Sequence, residues 1–285
     1  MIKINSLENI TFTEIHNAFS KAFFDYNIPP PSTNALKTML ERRGFAPELS
    51  FGAFDNNEMV SFTFNGIGNF NSIKTAYDTG TGTIPEYRGK GLAKKIFIES
   101  LLYLRTAGIK QYLLEVLQDN SKAIPLYTSQ GFEVSREFNF FTCDTIELKL
   151  NTKKLNNSFE ILEMNELKTD KMSSFWDFEP SWQNSFDSIM RKHKDFTILG
   201  AYQNKDLIAY GVIDPGSGDI TQIAVNKSYR RQGIGSSILK ALIEHNKFDS
   251  IKIINTEKDC HSINIFLKNN GLEISGSQFE MIKSL

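Results

Sequence analysis

The spacing of apolar positions changes in a fixed order along this chain, and the whole order occurs twice. Leu92, Ile96, Phe97, Leu101 and Leu104 recur at helical spacing, and Gly108 follows as a stop. Next comes a short apolar strand, Tyr112-Leu113-Leu114-Glu115-Val116-Leu117, and then a short helix ending at Gly131. The second half repeats this with Ile234, Ile238, Leu239, Leu242 and Ile243 at helical spacing, the strand Ile251-Lys252-Ile253-Ile254, and a short helix ending at Gly271. Upstream, the pattern predicts two helices in each half, at 12–24 and 33–43, then at 166–176 and 181–192. Two strands follow in each, at 48–54 and 59–65, then at 196–202 and 207–213, with turns at Asp55-Asn56-Asn57 and Asn204-Lys205-Asp206. One more strand precedes each long helix, at 73–77 and at 220–225. Strands and helices mixed in this way make an α/β (α+β) chain with a duplicated domain.

The 285 residues suit two domains of about 140 each. The polar stretch from Leu150 to Ser158 lacks apolar periodicity, so the expected domains are 1–150 and 158–285. A composition of 40% apolar and 23% charged residues is that of a soluble globular protein, and a net charge of −1 gives nothing global to attract nucleic acid or an anionic membrane. No apolar run is long enough for a membrane span, and the N-terminus alternates too regularly for a signal peptide, so a cytoplasmic protein is expected. Cys143 and Cys260 are expected to be reduced thiols. With His16, His193, His245 and His261 they make no ligand spacing, and no metal is expected.

The chemistry points to the junction between strand and long helix. Tyr87-Arg88-Gly89-Lys90-Gly91-Leu92-Ala93 and Tyr229-Arg230-Arg231-Gln232-Gly233-Ile234-Gly235 share Tyr-Arg-x-x-Gly-x-(Ala/Gly), 142 positions apart. A glycine-bearing turn that opens a helix aims unpaired N–H groups and the positive end of the helix dipole at one point, an anion site suited to a diphosphate. Gly89, Gly91 and Gly233 let the backbone approach closely, and Arg88, Lys90, Arg230 and Arg231 add positive charge. The loops are not a Walker A motif, because Gly91 stands where Ser or Thr is needed, and they lack the third glycine of the dinucleotide fingerprint.

Both loops resemble the pyrophosphate loop of the GNAT (GCN5-related N-acetyltransferase) family. The resemblance is most specific over 83–133, where Asn120-Ser121-Lys122-Ala123-Ile124-Pro125-Leu126-Tyr127 also looks like a family motif. It implies a tandem GNAT, each domain a central mixed, mostly antiparallel sheet flanked by helices, with acetyl-CoA as cofactor. The cofactor residues it implies are Thr83, Ile84, Arg88, Gly89, Lys90, Gly91, Leu92, Ala93 and Asn120 in the first half. In the second they are Val225, Arg230, Arg231, Gln232, Gly233, Ile234 and Gly235. The acceptor amine must be neutral to attack, although an alkylammonium has a pKa of about 10.4. By resemblance, Glu115 is the general base and Tyr127 the acid that protonates the departing thiolate.

The acceptor pocket is implied near Asp25 and Tyr26, with Ile28 to Pro31 and Arg136 to Phe138 around it. Aligning Gly131 with Gly271 sets Asn255 opposite Glu115 and Leu267 opposite Tyr127, so the second domain is expected to be degenerate or a second CoA site. The function implied is N-acyl transfer from acetyl-CoA to a primary amine of a small molecule or peptide, by a monomer or homodimer. The alternative is an acyl-CoA-binding sensor or scaffold without turnover.

Overall fold

The computed structural model describes residues 1–26, 29–148, 150 and 159–285. The chain forms two compact units, Met1–Ser135 with Glu280–Leu285, and Arg136–Phe279. The boundary between these units, at Ser135/Arg136, falls inside the strand Glu133–Asp144. The stretch 151–158 read as a linker lies outside the described residues.

The first unit contains β1 (Lys3–Ser6), α1 (Phe12–Phe23), α2 (Thr33–Arg42), β2 (Phe51–Asp55), β3 (Glu58–Phe70), β4 (Ile73–Thr83), α3 (Leu92–Thr106), β5 (Gln111–Leu117) and α4 (Ala123–Ser129). The sheet runs β1-β2-β3-β4-β5, antiparallel except for the parallel pair β4–β5, from Thr75↔Gln111 to Tyr77↔Leu113. Thr11 and Glu14 form a capping box that starts α1, which buries Ile15, Ala18 and Ala22. They share a core with the stacked rings of Phe62 and Phe64, 4.2 Å apart. The β2–β3 turn is carried by Asn56 and Asn57, both in the left-handed region that Asn tolerates.

The second unit contains β7 (Glu160–Glu163), α5 (Thr169–Ser173), α6 (Phe186–Arg191), β8 (Thr197–Gln203), β9 (Asp206–Asp214), β10 (Asp219–Val225), α7 (Ile234–His245), β11 (Ser250–Glu257) and α8 (His261–Asn269). The helices predicted at 166–176 and 181–192 shrink to short pieces. Pro180 and the Ser, Asp and Asn residues around it disfavour a continuous helix, and Phe175 and Trp182 bury themselves individually. α7 lays Ile238 and Leu242 on β9, where a Cβ on Gly211 would stand 2.6 Å from Leu242 Cδ1.

The last strand of each repeat is exchanged. β6 (Glu133–Asp144) leaves the first unit and pairs antiparallel with β11, from Phe138↔Glu257 to Asp144↔Ser250. β12 (Ile274–Ser284) ends in the first unit, where the Leu285 N–H donates to Lys110 O at 2.9 Å and the Ser135 hydroxyl to Glu280. No helix among the described residues is long and apolar enough to cross a membrane.

Candidate active sites

Each repeat builds its strand-to-helix loop in the same way. β4 leads through a turn at Pro85–Tyr87 to Gly89 (φ 74°) and Gly91 (φ 72°), and α3 starts at Leu92. β10 leads through Lys227–Tyr229 to Arg231 (φ 63°) and Gly233 (φ 85°), and α7 starts at Ile234. Arg231 thus holds a left-handed conformation that its counterpart Gly89 adopts without strain. A Cβ at Gly89 or Gly91 would meet nothing within 4 Å, so these glycines serve backbone conformation and open space rather than packing. The first-turn N–H groups of α3 and α7 lack intrahelical partners and carry the positive end of the helix dipole, which fits a diphosphate.

The first arginine of each loop is a brace. Arg88 donates to both carboxylate oxygens of Asp25 (2.6 and 2.8 Å), to Ala22 O (2.8 Å) and to Thr83 O (3.1 Å). Arg230 repeats the set with Asp177 (2.8 and 3.0 Å), Phe175 O (2.9 Å) and Val225 O (3.0 Å). Each guanidinium ties the end of the helical segment to the end of the strand before the loop. Its donors point inward rather than at a phosphate, leaving Lys90 and Arg231 as the loop cations.

Behind the loops, β4 and β10 carry the same bulge. Register shifts where Thr79 and Thr221, again 142 positions apart, stand as the extra residue. Beyond it β4 parts from β5, and β10 from β11, whose parallel pairing is limited to Asp219↔Lys252. The two clefts then differ. In the first unit a cavity of about 10 Å³ is lined by Asp78, Thr81, Tyr112, Leu126 and Tyr127 among others. In the second unit a groove of about 390 Å³ runs from Arg230, Arg231, Gly233 and Gly235 past Val225 to Asn255, Gln222 and Asn184.

The small cavity is filled by a polar cluster. Tyr127, on α4, lines the cavity beside Asp78 and Thr81, and its ring meets Phe132 edge-on at 5.8 Å. Asp78 accepts from the Gly80 N–H (2.9 Å) and the Thr81 hydroxyl (2.7 Å). Burial outweighs these bonds and lifts its carboxyl to about 6. Burial, then the Asp78 charge, drives the Tyr127 phenol far above its usual range. Glu115, on β5, takes a hydrogen bond from the buried Tyr77 hydroxyl.

The far end of the large groove is a chain of uncharged groups. Trp176 Nε1–H donates to the Tyr210 hydroxyl (2.5 Å), which donates to Gln222 Oε1 (2.6 Å). Gln222 Nε2 donates to Asn184 O (2.5 Å), and Asn184 Nδ2 to Ile254 O (2.8 Å). Asn255 donates to Ser181 Oγ (2.7 Å) and accepts from Gln278.

Residues 12–132 and 161–271 match the model of the acetyltransferase (GNAT) family. The chain belongs to that family. It is 30% identical to mycothiol acetyltransferase of Amycolatopsis mediterranei over 98 residues, 32% of this chain and 33% of that protein. It is also 30% identical to N-alpha-acetyltransferase 30 of Schizosaccharomyces pombe over 88 residues, 30% of this chain and 58% of that protein. The matches thus span from a third to just over half of these curated relatives. A tandem GNAT protein from the clavulanic acid biosynthesis pathway shares the fold across 100% of this chain and 98% of its own, with a TM-score of 0.75 at 12% identity.

Several residues expected at the sites of this GNAT chain also make structural contacts. Asp25 is engaged by Arg88 in the bidentate pair, and Tyr26 is exposed, edge-on to Phe23 at 5.0 Å. Ile28 lies outside the described residues. Asn120 Oδ1 caps α4 by accepting from the Ala123 N–H (3.0 Å), and Thr83 hydrogen-bonds Ser61 (2.7 Å) beside the buried Ile84. Ile234 is buried in the α7 core, and a Cβ on Gly235 would stand 3.1 Å from Phe266 Cε2. Counted from Leu113 and Lys252, Glu115 corresponds to Ile254. Asn255, at φ 59°, is the extra residue of a bulge against β6. Asp78, Tyr210, Gln222 and Asn184 had no motif to mark them.

Proposed function

We propose that this chain is an acetyl-CoA-dependent N-acetyltransferase that transfers acetyl to a primary amine and holds its donor in the groove of the second unit. The observation that carries the reading is the contrast between about 390 Å³ behind the second loop and about 10 Å³ behind the first. A pantetheine arm needs the larger space. The N–H groups at Gly233, Ile234 and Gly235 and the Arg231 side chain would take the diphosphate, with Gln232 beside them and the Val225 strand edge flanking the arm. Bound there, acetyl-CoA supplies an activated acetyl group as a thioester. The amide-lined end beyond Val225 would orient the acceptor. The names of the relatives support a small-molecule or peptide amine as its class.

A second reading is favoured by the Asp78–Tyr127 contact. It keeps the chemistry in the first unit, with Glu115 as base, Tyr127 as acid, and a donor on Gly89, Lys90, Gly91, Leu92 and Ala93. That reading requires α4 to move, because the cleft is full.

Calorimetric titration of acetyl-CoA into the wild type, Gly233→Glu and Gly91→Glu separates the two. Loss of binding in Gly233→Glu alone is expected. Loss in Gly91→Glu alone moves the site to the first unit, and binding without turnover of any amine makes the protein a sensor.

A further inference from the structure

The groove of the second unit holds almost no free charge at its far end. Its titratable lining groups are Asp177, Tyr210, Tyr229, Arg230 and Arg231. Asp177 is committed to Arg230 and to the Ser262 hydroxyl (2.7 Å). Burial opposes its charge, but those partners outweigh burial and hold the carboxyl below its usual range. Tyr210 is driven well above the phenol range by burial and is already bonded to Trp176 and Gln222. Tyr229, Arg230 and Arg231 belong to the loop. None of these groups is a base for an alkylammonium near neutral pH, and burying that cation among Phe175, Trp176, Phe178 and Pro180 would be costly. One acceptor atom, however, is unsatisfied, closed off behind the groove wall until the Asn184 side chain turns. Asn184 is 4% exposed and lines the groove. Its Nδ2 is fixed on Ile254 O, and its Oδ1 is buried with no partner among the described residues. An unsatisfied buried carbonyl oxygen suits a neutral N–H donor.

Building on the acetyl-transfer reading above, we propose that the acceptor is an amine already uncharged near neutral pH and carried on an aromatic ring, an arylamine, with one N–H received by Asn184 Oδ1. The nitrogen lone pair forms the N–C bond as the thioester C–S bond breaks. The proton shed by nitrogen leaves with the sulfur, so amine plus thioester balances to amide plus thiol without an external base. The rings of Phe175, Trp176 and Phe178 supply apolar walls for the aromatic body.

The test is thiol release by the full chain with acetyl-CoA and either para-toluidine or para-methylbenzylamine, followed from about pH 6 to about pH 9, since an alkylamine of pKa about 10.4 is neutral in roughly one molecule per 10³ near neutrality. The expected result is turnover of the arylamine at a nearly constant rate. The benzylamine should be roughly 10²- to 10³-fold slower near pH 7 and rise about tenfold per pH unit. Asn184→Leu should lower kcat/KM for the arylamine by roughly tenfold while the Kd for acetyl-CoA stays unchanged. Faster turnover of the benzylamine near neutrality overturns the inference. So does turnover of neither amine while calorimetry registers bound acetyl-CoA, and both outcomes leave the donor site standing. Failure of acetyl-CoA to bind at all overturns the donor reading, and the inference with it.

Discussion

Replacing Asp78 with Asn isolates the electrostatic cost of the filled cleft in the first unit. Burial lifts the Asp78 carboxyl from 3.8 to about 6, against the opposing bonds from Thr81, Gly80 and Tyr127 and the charge of Arg43. That gap corresponds to about 3 kcal/mol. Because the folded-state value is raised, the folded protein binds more protons than the unfolded chain between the two values. The stabilisation is complete below about pH 4 and is lost as pH rises through about 6. Asn keeps the shape and an acceptor for the Gly80 N–H but never ionises, and the Thr81 and Tyr127 hydroxyls can turn to accept from its amide. Asp78→Asn should therefore gain on the wild type as pH rises, by up to about 3 kcal/mol near neutrality, less whatever the reoriented hydroxyls lose. Both tryptophans, Trp176 and Trp182, lie in the second unit, so their fluorescence follows the wrong part of the chain. Hydrogen exchange of the β3–β4 amides at several pH values reads the first unit instead. Parallel curves for Asp78→Asn and wild type between about pH 4 and about pH 7 would refute the buried-carboxylate account.

The remaining predictions concern the braces, the packing and the location of the chemistry. Arg230→Met should cost about 1–3 kcal/mol in denaturant unfolding, because it strands two carbonyls and Asp177. Arg88→Met should cost less, since that pair is more exposed. The same Arg230→Met should weaken acetyl-CoA binding about tenfold through the loop it positions, measured by calorimetry. Gly211→Ala should cost about 1–3 kcal/mol by driving a methyl into Leu242 and Ile238, read as a lower Tm. Glu115→Gln and Tyr127→Phe should leave kcat within about twofold if the second unit does the chemistry; a loss of about 10² or more would return it to the first.

Much of the fold was legible because each repeat is marked locally. The Gly/Arg loops, the helical stripes from Leu92 and Ile234, and the stops at Gly108, Gly131 and Gly271 depend on nearby residues, and all three glycines have positive φ. The exchange of β6 and β12 was not legible. A duplicated sheet offers two equivalent slots for a last strand, and nothing in an alternating strand such as 136–144 says which slot it takes. The braces were half legible. Arg88 and Arg230 stood out, but their partners Asp25 and Asp177 lie 63 and 53 positions away, with no spacing rule connecting them. Glu115 and Tyr127 were marked by the resemblance, yet only packing reveals that Tyr127 lines a cavity of about 10 Å³ with Asp78 and Thr81. The amide wall of Asn184, Gln222 and Asn255 is invisible in sequence, since buried carboxamides have no pattern until the strands bring them together.

The central claim is that the donor binds at the second loop. Amide hydrogen exchange with and without CoA tests it most directly, resolved on residues 230–237 and 88–95. Protection confined to 230–237 and the neighbouring β10 amides is the predicted result. Protection confined to 88–95, with 230–237 unchanged, would contradict it.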